Sequence, residues 1–435
     1  MVRPKWALLV LVLLAASGIP ALGEAISNDE TFGGFQFNLN NPGARALGMG
    51  GAFTGVADDA TAVVSNPAGL VILQRPEAAA ELKLTRFTNT IENFSNTPAE
   101  GRQGIFHSRD FDDTVFTPSF FSFVYPTDRL VIAAFVRELV NYESNFETEG
   151  VFLPNGSRLF PVRSELSITA LNFGGGVGVN LARVHPLLPN LGASLEISHG
   201  VVNSKLQRFG LGGARFFLPP DFASSNVRAT STVEATDLGY GYNVGALWKP
   251  VRDLGIGVVY RRGPRFDMQQ RLESGPASLP ASPQLFDFTL KVPDVYGAGV
   301  SYRLFDRLTL ALDVVRIQYS QLLKNFQIVF AQGTDRPGDF KLDDATEIHL
   351  GAEYVFFVRE MPFAARGGFY TDPDHKIRYT GTANPASRAI FSGGKDRYHV
   401  TAGVGVVPVP GFQLDFAGNW SESVKELVMS TVFRF

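Results

Sequence analysis

The ten residues Glu347-Ile348-His349-Leu350-Gly351-Ala352-Glu353-Tyr354-Val355-Phe356 decide how the chain is read. Ile348, Leu350, Ala352, Tyr354 and Phe356 share one phase; Glu347, His349, Gly351 and Glu353 share the other. Successive side chains of a strand point to opposite faces, so this segment is a strand with one oily face and one polar or small face. Residues 307–315 repeat the pattern, with Leu308, Leu310, Leu312 and Val314 against Thr309, Ala311 and Asp313. Residues 412–417 repeat it with Phe412, Leu414 and Phe416 against Gln413 and Asp415.

A soluble sandwich would alternate in the same way, so the connections decide. Working outward along residues 77–435, the pattern gives about fourteen strands, an even number, as bacterial barrels require. Pro126-Thr127-Asp128, Pro250-Val251-Arg252, Phe305, Arg359-Glu360-Met361 and Val409-Pro410 are tight connections. Between them lie long segments, 91–115, 207–227, 273–285, 321–344 and 372–395. Short turns on one rim and long loops on the other are the organisation of an outer-membrane barrel, with the short turns in the periplasm. The expected fold is all-β: an antiparallel transmembrane β-barrel of about fourteen strands.

Composition narrows the chemistry. The 435 residues include no cysteine, which removes disulfides, thiolate metal sites and cysteine nucleophiles. With 39 basic and 42 acidic residues the net charge is -3, so no global field favours nucleic acid. The 44 glycines and 26 prolines suit many turns rather than long helices. Arg3 and Lys5 precede an apolar stretch, residues 6–16, and then the small residues Ala21-Leu22-Gly23. That is the layout of a secretory signal peptide, expected over residues 1–25. Its apolar core is shorter than the ~20 residues of a bilayer-spanning helix. A membrane form of the mature chain is therefore a barrel. Residues 26–76 are Gly- and Asn-rich and stand apart from the alternating stretch 77–435, which gives three expected units.

Three phrases carry a family resemblance. They are Asn41-Pro42-Gly43-Ala44-Arg45-Ala46-Leu47-Gly48-Met49-Gly50-Gly51-Ala52-Phe53, then Ala57-Asp58-Asp59-Ala60-Thr61-Ala62-Val63, then Asn66-Pro67-Ala68-Gly69-Leu70. Together they resemble the N-terminal hatch of the FadL-type outer-membrane transporters. Gly241-Tyr242-Asn243-Val244-Gly245-Ala246-Leu247 and Gly299-Val300-Ser301-Tyr302-Arg303 are similar to that family's strand phrases. The resemblance implies a fourteen-stranded barrel plugged by residues 26–76, with Gly50, Gly51, Asp58, Asp59, Asn66, Pro67 and Ala68 as the hatch motif. It implies passive uptake of hydrophobic small molecules, such as long-chain fatty acids or aromatic hydrocarbons, with no cofactor. Ligand would lodge first between outer loops, then in a pocket against the hatch, and leave sideways at an inward kink of the third strand. A sister branch acts as a secretion accessory, so a scaffold binding protein cargo is the alternative reading. The chain ends Val432-Phe433-Arg434-Phe435, which resembles the signal read by the outer-membrane assembly machinery. Outer-membrane lipid would surround the wall.

The residues themselves add candidates. Segment 207–227 holds Phe209, Leu211, Phe216, Phe217, Leu218 and Phe222, an apolar density that marks a binding or interaction surface when solvent-facing. Leu279 and Leu285 of segment 273–285 would form the facing side, and the two segments could equally just cap the barrel by packing on each other. Arg208 and Arg215 flank the aromatics, where they would hold a carboxylate or pair with loop acids. In the third strand, residues 129–146, both phases are apolar up to Val136, and Arg137-Glu138 follows. A bulge there would bend the strand. The stretch has no Gly or Pro, so an interior ion pair is the preferred reading. Inward-phase Asp313, Glu347, His349, Glu353 and Asp415, with Arg261 and Arg303, would make a charged, hydrogen-bonded lumen. Asp58 or Asp59 would cap a short helix through Val64, ended by Pro67. Asp112-Asp113 and Asp343-Asp344 lack the spacing of a calcium loop. The six histidines lack zinc spacing, and no nucleophile elbow or phosphate loop occurs. The chain is not expected to be an enzyme.

Overall fold

The computed structural model describes residues 39–99, 102–127, 130–149, 161–185, 188–210, 221–274, 283–324, 336–384, 387–388 and 391–435. Sixteen hydrogen-bonded segments form one closed sheet. Two pairs of segments are lower and upper parts of single interrupted strands, which leaves fourteen crossings. In chain order these are β1 (Glu77–Ala99), β2 (Arg102–Pro126), β3 (Leu130–Thr148), β4 (Val162–Val179), β5 (Asn190–Phe209) and β6 (Val227–Val251). The interrupted strands follow: β7 (Leu254–Arg262, then Arg265–Ser274) and β8 (Gln284–Lys291, then Val295–Leu304). Then come β9 (Leu308–Ile317), β10 (Ala345–Val358), β11 (Met361–Asp372), β12 (Arg397–Val409), β13 (Phe412–Trp420) and β14 (Val424–Arg434).

Within this sheet every pairing is antiparallel between chain neighbours, and β14 returns to β1 from Glu77↔Arg434 to Phe87↔Val424. At this seam Arg434 Nε donates to Glu77 Oε1 at 2.8 Å and the Phe435 amide donates to the Pro76 carbonyl at 3.0 Å. The connections 251–254, 304–308, 358–361 and 409–412 are tight and share one rim with both ends of the wall. Phe305 and Asp306 turn the chain with φ of 53° and 54°, the mirror-image turn that a two-residue hairpin prefers.

The two faces are inverted relative to a soluble protein. On β9 and β10, Leu310, Leu312, Val314, Ile348, Leu350 and Tyr354 are exposed, while Asp313, His349 and Glu353 are buried. Oily side chains outside and charges inside are stable only with hydrocarbon around the wall.

Three features depart from the sequence reading. Residues 91–115 are not a loop: β1 and β2 continue as a ladder to Ala99↔Arg102. Cross-strand polar pairs hold that extension, Arg86 and Thr88 on Asp112 and Thr90 on Asp110, so the apolar alternation that marks the rest of the wall is missing. In β3 a register shift occurs between Glu138 and Val140 despite the absence of Gly and Pro. Arg137 and Glu138 do not pair with each other; their partners are Glu196 and Lys83. In β7 and β8 the inward phase flips at Gly263-Pro264 and at Val292-Pro293-Asp294. Below the breaks Val259 and Val295 face in; above them Phe266, Met268, Phe288 and Leu290 do. Proline has no N–H to give the ladder, and the two prolines break adjacent strands at one height.

Candidate functional site

Residues 39–76 occupy the lumen. They contain α1 (Ala44–Gly48), α2 (Ala62–Ser65) and a 3-10 turn, Pro67–Ile72. Backbone polar groups of short helices and loops need partners when buried, and inward side chains of the wall supply them. Asp313 Oδ2 accepts from the Phe53 and Thr54 amides at 2.9 and 2.8 Å. Ser122, Ser301 and Asn243 donate to the carbonyls of Ala60, Gly55 and Val64. Thr401 accepts from the Gly50 amide at 3.0 Å, and the Gly43 amide donates to Glu81. His349 Nδ1 lies 2.7 Å from the Gly50 carbonyl and its Nε2 lies 3.0 Å from Glu347. Backbone also meets backbone directly: a Cβ on Gly50, whose φ is +64°, would fall 2.7 Å from the Leu350 carbonyl oxygen.

A charge network fixes α1 to the wall. Arg45 makes paired 2.8 Å bonds to both oxygens of Glu353 and a third bond to Asp58. Glu353 also accepts from Arg366 at 2.7 Å, and Arg366 donates on to Asp415 at 2.7 Å. Such buried charges are tolerable because each is matched. Asp59 accepts from the Thr61 amide at 2.9 Å. Burial nevertheless raises its carboxyl above the ordinary range, against the pull of Arg45.

Above this segment lies an apolar layer. Inward side chains of β3 to β10 meet there, among them Tyr142, Ile168, Phe266, Met268, Phe288 and Ile317, all buried. The inward fold of β7 and β8 above their breaks carries Phe266 and Met268 onto Val140, Ile168 and Val202. A polar vestibule of about 670 Å³ opens beside the layer, lined by Asn89, Tyr370, Asp372, Arg397 and His399. Beneath the β3 shift is a cavity of only about 70 Å³, between residues 39–43, Glu81, Lys83 and residues 137–142. The β2–β3 ladder ends at Phe120↔Arg137 just below it. Ser119 is bulged out of β2 opposite.

The sequence profile of the family described as outer membrane protein transport protein (OMPP1/FadL/TodX) matches residues 24–426. The chain belongs to this family. Among solved structures, this FadL/TodX-family chain is similar to a Pseudomonas aeruginosa FadL homologue, at 14% identity and TM-score 0.66 over 92% of this chain and 100% of that one. It is similar to the Pseudomonas putida toluene transporter TodX, at 15% identity and TM-score 0.61 over 92% and 99%. The Ralstonia pickettii toluene transporter TbuX matches at 17% identity and TM-score 0.59 over 92% and 99%. No curated protein matches the sequence significantly. As a FadL/TodX-family member the chain is an outer-membrane β-barrel of a transport family, with its short-turn rim in the periplasm.

The residues singled out between 50 and 68 come together against the inward face of the wall. Gly50 and Gly51 approach the wall, Asp58 and Asp59 surround Arg45, Asp59 accepts from the Thr61 amide in the turn leading into α2, and Asn66 accepts from the Ala68 amide and caps the turn begun by Pro67. Thr61 stands at the start of α2 with no side-chain cap bond, and the helix is four residues long. Asp313, Glu347, His349, Glu353, Asp415 and Arg261 face inward; Arg303 lies at the rim, 4.0 Å from Asp58. The loop candidates are less gathered. Phe209 is buried, edge-on to Phe222 at 5.1 Å, and Arg163 lies over both rings. Leu285 is not on a loop but on the upper part of β8, exposed and paired with Arg271. Leu211, Arg215, Phe216, Phe217, Leu218 and Leu279 lie outside the described residues. Sequence reasoning missed the apolar layer; Pro264 and Pro293 were its signal.

Proposed function

We propose that this barrel takes up hydrophobic compounds, long-chain fatty acids or aromatic hydrocarbons, by diffusion across the outer membrane. The apolar layer above the leading segment carries this reading. A packed belt of Phe266, Met268, Phe288 and Tyr142 inside an otherwise polar lumen gives an oily solute a desolvated resting place. Solute enters at the outer loops, where half-buried Phe222, packed edge-on against the buried Phe209, offers first contact. It crosses the layer and reaches the small cavity at the β3 shift, which it enlarges by displacing residues 39–43. The missing β2–β3 pairing above Arg137 is its way out into lipid. In this reading residues 1–25 are the export signal, 26–76 the hatch and 77–435 the barrel. Phe435 is the handle of the assembly machinery.

The test is uptake of radiolabelled fatty acid and radiolabelled toluene by a knockout complemented with the intact gene. Accumulation faster than in the uncomplemented knockout is expected for at least one of them. Equal rates for both would overturn the reading.

A further inference from the structure

We propose that the wall between β6 and β7 holds a second lateral passage, closed by the Arg137–Glu196 ion pair, for a single-chain amphiphile with a carboxylate head. It rests on the transport reading above and adds a second mouth at a different wall.

The ladder is interrupted there. β6 pairs with the lower part of β7 up to Tyr242↔Arg262 and with the upper part from Val233↔Gln270. Residues 234–241 therefore face residues 263–269 with no ladder pair between them. One side-chain bond crosses, from the Asp267 amide to Asp237 at 2.8 Å. Irregular backbone at membrane depth persists only where protein covers it or where it lines a cavity. A cavity is present: a cleft of about 950 Å³ opens at this point.

The cleft has the chemistry of an amphiphile site. Phe173, Leu195, Ile197 and Tyr240, all exposed on the lipid face, form its apolar side. Arg262 also lines it, a cation suited to a carboxylate head, with Lys291 beside it held by Asp294 at 2.7 Å. Its floor reaches Glu196, whose ladder neighbours are Gly174 and Gly241. Neither glycine screens the carboxylate; a Cβ on Gly241 would lie 2.8 Å from Glu196 Oε1.

Glu196 closes the cleft from inside. Its two oxygens accept from Arg137 Nη2 at 2.7 Å and Nε at 3.0 Å. Arg137 in turn lines the lumenal cavity under the β3 shift. Arg137 on the lumenal cavity and Glu196 on the lipid-facing cleft are thus bonded to each other, and the same arginine ends the β2–β3 ladder. A solute carboxylate that takes Arg137 from Glu196 would open the way to the cleft.

The chain has no cysteine, so Asp237→Cys with Asp267→Cys introduces the only thiol pair across the interruption. Uptake of a labelled C16 fatty acid is compared in oxidised and reduced cells, with heat-modifiable migration as the folding control. At least a twofold loss on oxidation, reversed by reductant, is expected; equal uptake overturns the passage. A photoreactive benzophenone residue at position 240 in lipid nanodiscs gives an independent reading that does not need the lock to fold. It should capture the labelled acid at least threefold more than the same group at position 398, on the lipid face of β12. Equal capture at the two positions overturns the proposal. Failure of the wild-type chain to transport would instead sink the transport reading itself.

Discussion

Arg45 and Glu353 meet through two parallel hydrogen bonds of 2.8 Å, one residue on the leading segment and the other on β10 of the wall. Breaking one side of such a buried pair costs about 3–5 kcal/mol, because the remaining charge is stranded. Arg45→Ala leaves Asp58 without its closest cation and removes one of the two arginines on Glu353. The variant should show larger conductance in planar bilayers than the wild type. Unchanged conductance would mean that the segment is held without this pair.

Gly368 and Gly367 make a matched test of close approach. A Cβ on Gly368 would fall 2.1 Å from the Gly50 amide nitrogen, whereas one on Gly367 would meet nothing within 4 Å. Gly368→Val should unseat the segment and lower the heat-modification midpoint. Overpacking of this kind costs about 1–3 kcal/mol. Gly367→Ala should leave the midpoint where it is.

Met268 lies buried in the apolar layer. Met268→Gln places an amide there, and an unpaired buried polar group costs roughly 1–3 kcal/mol. Uptake of a hydrophobic solute should slow by about tenfold at equal surface level, the equivalent of ~1.4 kcal/mol on the route. Rates within twofold of wild type would place the route elsewhere.

His375, beyond the end of β11, stacks on Tyr319 at 4.1 Å and lies 3.1 Å from Asp372. Burial opposes its charge, but the bond to Asp372 and that residue's charge prevail, so its pKa is raised above the ordinary 6.5. A raised folded-state pKa means the contribution is complete below pH 6.5 and is lost as pH rises through the folded value. Protease resistance of segment 373–384 should therefore fall in wild type as pH rises above 6.5. His375→Gln should flatten that dependence; an unaltered profile would assign it to another group.

The wall was legible because lipid imposes one rule on every strand: Ile348, Leu350 and Tyr354 must be oily outside. The bounds of β10, 345–358, follow from it directly. The rule lapses where lipid ends, so the extension of β1 and β2 past residue 90 carried no apolar signal and read as a loop. It also says nothing about the inward face. Phe266, Met268 and Phe288 lie in a phase that flips at the proline breaks, and the sequence suggests one unbroken strand on each side of segment 273–285. The bulge in β3, weighed in the sequence against an ion pair, lacks the Gly or Pro that would favour it, and Leu139 and Val140, both apolar and both buried, hide the change of phase. In the lumen, Arg45, Asp58, Asn66 and their neighbours could be singled out, since short polar residues and glycines around a proline turn have few other uses. Which wall residues answer them, Glu353 or Asp313, is tertiary information.

The clasp between the Phe435 amide and the Pro76 carbonyl bears on how the molecule is made. Pro76 is the last residue before the wall and Phe435 directly follows β14, so the first and last strands join where the leading segment enters the wall. Residues 39–76 touch wall backbone closely at Gly50. An assembly order in which the wall wraps around that segment and the β1–β14 seam zips last would satisfy both contacts at once.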